Sequence, residues 1–160
     1  MTAALRKWRQ SIGRVVISRM CGGFVSSAGR PGGTPRTCSV DLDDHVGNVA
    51  GVRHLTRDVL RHISNDDLED VLLVVTELVS NAFDHGEAPR LMRLTVTPRP
   101  YVVRCEVDDA AERLPVLGRS RSGGFRGRGM VLVDELATAW GVVPGNDFKT
   151  VWAELKCEPR

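Results

Sequence analysis

Between Asp67 and His85, apolar residues fall at Leu68, Val71, Leu72, Val75, Leu78, Val79, Ala82 and Phe83. This is the i, i+3, i+4, i+7 recurrence of an amphipathic α-helix, so any fold of this chain must lay that stripe on an apolar partner. Glu77 and Asn81 are four residues apart and project along one line of the same helix. One turn earlier that line carries Leu73 and Val74. A carboxylate and an amide thus stand where aliphatics lead. Covering such groups costs free energy unless they are hydrogen-bonded or bind something charged. A solvent-facing polar pair meets that requirement, and so does a metal ion carrying a phosphate.

The elements around this helix follow from local signals. Cys38–Leu42 reads as a short edge strand. A helix is expected over 46–62, with Asp43 or Asp44 as its cap and Val49, Val52, Leu55, Val59 and Leu60 as its apolar positions. Asn65 or Asp66 is expected to cap the long helix, Gly86 to end it, and Pro89 to prevent its continuation. Strands are expected over 91–97 and 101–108, joined through Pro98-Arg99-Pro100. Residues 110–129 hold five glycines and five arginines without helix or strand period, the composition of a lid or binding segment. A short helix over 130–136 and strands over 139–143 and 150–156 complete the order β, α, α, β, β, loop, α, β, β. Strands that come as hairpins imply a mixed, mainly antiparallel sheet with helices on one face, an α+β two-layer sandwich.

Charge divides the chain. Residues 1–39 contain seven Lys or Arg and no Asp or Glu; the rest carries 22 − 7 = 15 basic and 20 acidic residues, a net of −5. The folded part therefore offers no electrostatic reason to bind nucleic acid directly. Residues 1–37 read as a basic, flexible N-terminal extension and linker, and 38–157 as the folded domain. Residues 2–20 would form a basic amphipathic helix if they ordered against anionic lipid or a partner. No apolar run approaches the ~20 residues of a spanning helix, so stable membrane insertion is not expected. Cys21, Cys38, Cys105 and Cys157 are scattered without metal-ligand spacing, as in reduced thiols of a cytoplasmic protein.

Two further segments bear on chemistry. Val107-Asp108-Asp109-Ala110-Ala111 places carboxylates at a strand end, where one can accept a hydrogen bond from a base amino group or simply terminate the strand. Gly127-Arg128-Gly129-Met130 leads into a helix, and a glycine-led helix N-terminus lets backbone N–H groups approach a phosphate. In order and spacing these segments resemble the GHKL ATPase superfamily, with its Bergerat ATP-binding fold, and within it the anti-sigma-factor serine/threonine kinase branch. Glu77-Leu78-Val79-Ser80-Asn81-Ala82-Phe83-Asp84-His85 is similar to that branch's E-L-V-x-N-A-x-x-H box. Asp109-Ala110-Ala111-Glu112-Arg113-Leu114-Pro115 resembles D-x-[SG]-x-x-x-P, and Gly127-Arg128-Gly129-Met130-Val131-Leu132-Val133-Asp134 resembles G-R-G-L-x-L-V-D. Trp140-Gly141 and Lys149-Thr150-Val151-Trp152-Ala153-Glu154-Leu155 match the ending W-G…G-K-T-V-W-A-E-L. The likeness spans about residues 38–157.

The resemblance implies a histidine-kinase-like ATP-binding domain with ATP and Mg²⁺ as cofactors. Asn81 would coordinate the metal and Glu77 would be the general base. Asp109 would hold the adenine amino group, chosen over Asp108 because its spacing to Pro115 fits. His85, Ala111, Gly127, Arg128, Gly129, Met130 and Thr150 complete the implied nucleotide site. Ala111 departs from the usual Gly or Ser, and Phe148 stands where Gly usually precedes Lys-Thr. The implied partners are an anti-anti-sigma (STAS-like) protein as phosphoacceptor and a sigma factor, with a homodimer compatible with the family. A non-catalytic, nucleotide-dependent binding switch on the same fold is the competing reading.

Overall fold

The computed structural model describes residues 34–44, 48–111 and 129–160. The basic extension and most of the Gly/Arg-rich loop lie outside those residues. Strand β1 (Arg36–Asp41), helix α1 (Val49–Val59), helix α2 (Asn65–His85), strands β2 (Leu91–Pro98) and β3 (Tyr101–Asp109), helix α3 (Gly129–Leu136) and strands β4 (Ala139–Pro144) and β5 (Lys149–Lys156) follow in chain order. The sheet order is β1-β2-β3-β5-β4, and all four pairings are antiparallel.

Alternation along the strands separates two faces. Cys38, Met92, Leu94, Val103, Cys105, Val107, Val151, Ala153 and Leu155 form the inner face. Against them α2 lays Val71, Val74, Val75, Leu78, Val79 and Ala82. Fully burying each Val or Leu contributes about 1.5–3 kcal/mol, so this stripe fixes the helix on the sheet. Phe83 departs from it: at 38% exposure it lies outside the core, with the Arg90 guanidinium 5.3 Å above its ring. Arg90 also donates to Ala82 O (2.8 Å) and Gly86 O (3.0 Å), carbonyls of the helix end, and pairs with Asp43 at 2.7 Å.

The outer face is a ladder of compensating charges. Arg93 grips Asp108 with two bonds (2.6 and 2.9 Å) and reaches Glu106, while Arg104 joins Glu106 and Glu154. Arg104 lies 4.1 Å over the Trp152 ring. Gly141 pairs with Trp152 across the strands, and a Cβ there would stand 3.2 Å from the indole.

Helix caps differ from expectation. Asn48, not Asp43 or Asp44, caps α1, its side chain accepting from Gly51 N at 2.8 Å. Asp43 is instead engaged by Arg90. Ser64, not Asn65 or Asp66, caps α2, accepting from Asp67 N at 3.1 Å. Several adjacent residues can cap, and here tertiary partners choose. Asp67 takes the Glu158 N–H at 2.7 Å, Ser64 N donates to Glu158 O, and Arg160 N donates to His62 O. The chain after β5 thus pins the start of α2. Cys105 and Cys157 are buried free thiols. Burial pushes both thiols up to about 12. Among the described residues no helix is long and apolar enough to cross a membrane.

Candidate nucleotide site

The last turns of α2 carry Glu77, Asn81 and His85 on one line, the first two half-buried and His85 exposed. The line lies beside the sheet-facing stripe of Val74, Leu78 and Ala82, and Glu77 on it meets the start of α3. The Asn81 Nδ2 is buried and has no hydrogen-bond partner among the described residues. Leaving such a group unsatisfied costs about 1–3 kcal/mol. A half-turn of the amide exchanges Oδ1 and Nδ2, so the same position can present a donor to an anion or an oxygen to a cation. The side chain is thus poised for a partner that the described residues do not supply.

Glu77 ends against Gly129, the first residue of α3. A Cβ built there would overlap Glu77 Oε2 and stand 3.1 Å from its Cδ. Glycine at 129 thus leaves the room that the Glu77 carboxylate occupies, and the carboxylate lies at a helix N-terminus, where unpaired N–H groups concentrate positive potential. Asp134 of α3 accepts from Trp140 Nε1 at 2.8 Å, tying that helix to β4.

The opposite wall is the end of β3. Asp109 falls on the inner face beside Gly86, where a Cβ would stand 2.7 Å from the Asp109 Cγ. Gly86 is extended (φ −92°), so space, not a left-handed cap, demands glycine there. Asp109 is 2% exposed; its Oδ1 accepts from Ala111 N at 2.9 Å and from Lys149 Nζ at 2.6 Å. Asp108 falls on the outer face, held by Arg93 and by Thr150 Oγ1 at 2.6 Å. Burial raises the Asp108 carboxyl above its ordinary range, against the opposing pull of Thr150 and Arg93.

The structure brings Glu77, Asn81, Gly129 and Asp109 to one end of the helix–sheet layer. Ala111 is buried there, its backbone tied to Asp109 and Lys149. Met130 packs in the hydrophobic core. Thr150 lies on the far face with Asp108, away from Asp109. Lys149, not Thr150, occupies the inner position opposite Asp109; its signal is a cation at a strand position whose parity faces the core. Phe148 closes the β4–β5 turn, its carbonyl accepting from Gly145 N at 2.7 Å. Gly127 and Arg128 lie outside the described residues. No group of three or more His, Cys, Asp or Glu could hold a metal among the described residues. A divalent ion here would take Asn81 as its protein ligand and complete its shell with water and ligand oxygens, a donor set that suits Mg²⁺.

Residues 42–154 match the family described as histidine kinase-like ATPase domain. The Streptomyces coelicolor protein SCO4941 is 36% identical over 89 residues, covering 53% of this chain and 80% of that protein. The fold is similar to the crystal structure of the RsbU and RsbW domains of Rv1364c from Mycobacterium tuberculosis, with a TM-score of 0.56 and 17% identity. That likeness covers 78% of this chain and 33% of the Rv1364c chain.

Proposed function

Because this chain belongs to the histidine kinase-like ATPase domain family, we propose that it is a Mg-ATP-binding regulatory protein acting as a serine/threonine kinase of the anti-sigma-factor type. Its phosphoacceptor is an anti-anti-sigma (STAS-like) protein in the cytoplasm, and a sigma factor is its second partner. The observation that carries this reading is the buried Asn81 Nδ2, without a partner among the described residues, one turn from a carboxylate laid on the first residue of α3.

Each residue has a distinct job. Asn81 holds the metal through its amide oxygen. Bound Mg²⁺ supplies charge neutralisation between the phosphates. Glu77 accepts the proton of the partner's hydroxyl as that oxygen attacks. Asp109 accepts from the base amino group, and Ala111 closes the turn around it. His85 stands at the solvent rim, and Gly127, Arg128 and Gly129 line the phosphates. Phosphoryl transfer depends on positioning and electrostatics more than on covalent help, and a site of so few polar groups is sufficient for it.

The test mixes the protein, radiolabelled ATP, Mg²⁺ and an anti-anti-sigma protein. Label is expected on a Ser or Thr of the partner. Glu77→Ala should abolish labelling while sparing nucleotide binding. Nucleotide-dependent complex formation without label would defeat the kinase reading in favour of a non-catalytic switch. Absence of any thermal shift with Mg-ATP would defeat both, since a ligand that binds the native state must stabilise it.

A further inference from the structure

The inner face of the sheet is apolar along its cross-strand rows, Val107 with Val151 and Cys105 with Ala153. Its last row breaks the pattern with Asp109 opposite Lys149. Both side chains are buried, at 2% and 7% exposure. Replacing a buried ion pair with apolar residues of similar volume is often neutral or stabilising, so packing alone does not explain the pair. Its geometry is also lopsided. Asp109 Oδ1 receives both Lys149 Nζ (2.6 Å) and Ala111 N (2.9 Å), while Oδ2 takes no hydrogen bond from the described residues. Lys149 Nζ donates a second bond to Ala111 O at 3.1 Å, and an ammonium has three hydrogens to give.

We infer that Lys149 is the positioning and specificity residue of the base pocket: it saturates one oxygen of Asp109, leaves the other as the acceptor, and sets a donor beside it. This rests on the reading of Asp109 as the base acceptor. An acceptor next to a donor is complementary to a 6-aminopurine edge, which offers an amino hydrogen beside a bare ring nitrogen. A 6-oxopurine edge offers the reverse, an oxygen beside a ring N–H. Placed in the same pose it sets oxygen against carboxylate and N–H against ammonium. Sites built around oriented hydrogen bonds discriminate strongly because a mismatched group leaves buried partners unpaired. Without the ammonium the Ala111 N–H alone would hold the carboxylate and the neighbouring donor would be gone, which relaxes that discrimination.

The experiment measures affinities of the full chain for ATP and for ITP, with Mg²⁺, by calorimetry. Wild type is expected to prefer ATP by at least about thirtyfold. Lys149→Met should weaken ATP by about tenfold or more, leave ITP nearly unchanged, and bring the ratio below about threefold. Lys149→Arg, which keeps a charged donor, should retain the preference. Should Lys149→Met fold poorly, Lys149→Leu supplies the same comparison with another side chain that has no donor. A merely structural lysine would lower both affinities by one factor, and that outcome, or an unchanged ratio, overturns the inference. A preference for ATP that is lost in Asp109→Asn but kept in Lys149→Met refutes Lys149 alone. A wild type that binds neither nucleotide refutes the base-pocket reading together with it.

Discussion

Gly129→Ala should separate stability from activity. The new methyl would overlap Glu77 Oε2 and stand 3.1 Å from Cδ, so the carboxylate must withdraw. Ordinary contact distances require a retreat on the order of 1 Å, and misplacement of that size costs about 10²-fold in rate. The obstructing atom is the far end of a flexible side chain, so the fold can yield at modest cost. An off-rotamer Glu77 costs about 0.5–1.5 kcal/mol. Replacing a helical glycine by alanine returns up to about 1 kcal/mol. The two nearly cancel, and the net change in stability should lie within about 1 kcal/mol of zero. Initial rates of phosphotransfer and urea melts on the same preparation give both quantities, with Glu77→Gln as the reference for a carboxylate removed outright. The variant should transfer slowly, melt like wild type, and still bind nucleotide. Wild-type transfer would refute the placement of Glu77 against α3 as the working geometry. Loss of transfer that tracks loss of folding would refute the claim that only the carboxylate yields.

Other substitutions have contrasting signatures. Asn81→Ala removes a buried amide nitrogen that has no partner among the described residues, so the nucleotide-free protein should be as stable as wild type or up to about 2 kcal/mol more stable. Its thermal shift with Mg-ATP should vanish, which differential scanning fluorimetry reads directly. Arg90→Ala strips two carbonyl contacts from the end of α2, its Asp43 partner and the cover over Phe83, and should cost about 2–3 kcal/mol in a urea melt. Cys105, pushed by burial from an ordinary 9.0 to about 12, keeps its proton longer when folded than when unfolded. Its contribution is fully present below pH 9 and is lost as pH rises toward 12, at ~1.4 kcal/mol per pH unit. Melts at pH 8 and pH 10.5 should differ more for wild type than for Cys105→Ala, and the Cys105 thiol should resist alkylation at pH 8 until urea is added.

Where the sequence was legible, the signal was periodic. The stripe from Leu68 to Ala82 could only be a helix laid on an apolar sheet, and the Pro98-Arg99-Pro100 hairpin is where the structure has it. Phe83 continued the same period yet lies outside the core, because Arg90 returns from the following loop to cover it. The caps were illegible for a related reason. Asp43, Asp44, Asn65 and Asp66 all have the chemistry of a cap, and the choice fell to contacts with Arg90 and Glu158, 47 and 91 residues distant from their partners Asp43 and Asp67. The insertion of β5 between β3 and β4 has no local signature either. Motif letters also served two purposes that a pattern cannot separate. Trp140 and Asp134 bond to each other and hold α3 to the sheet, and Gly141 makes room for Trp152, so that part of the ending is explained by packing.

The two aspartates show why strand parity decides more than motif spacing. Asp108 and Asp109 are chemically identical neighbours, but successive strand side chains face opposite ways. A slip of one residue would carry Asp108 to the inner face and expose every apolar partner of α2, which the burial of Val103, Cys105 and Val107 forbids. The core thus fixes which carboxylate reaches Gly86 and the end of α2. The same parity acts on the facing strand, where Asp109 pairs with Lys149 and Asp108 with Thr150. Thr150, the residue that motif matching selects, thereby donates to Asp108 on the far side. The lysine, which reads as an ordinary surface cation, is placed inside. Spacing located the segment, and only the pairing with β3 could say which of its side chains faces the candidate site.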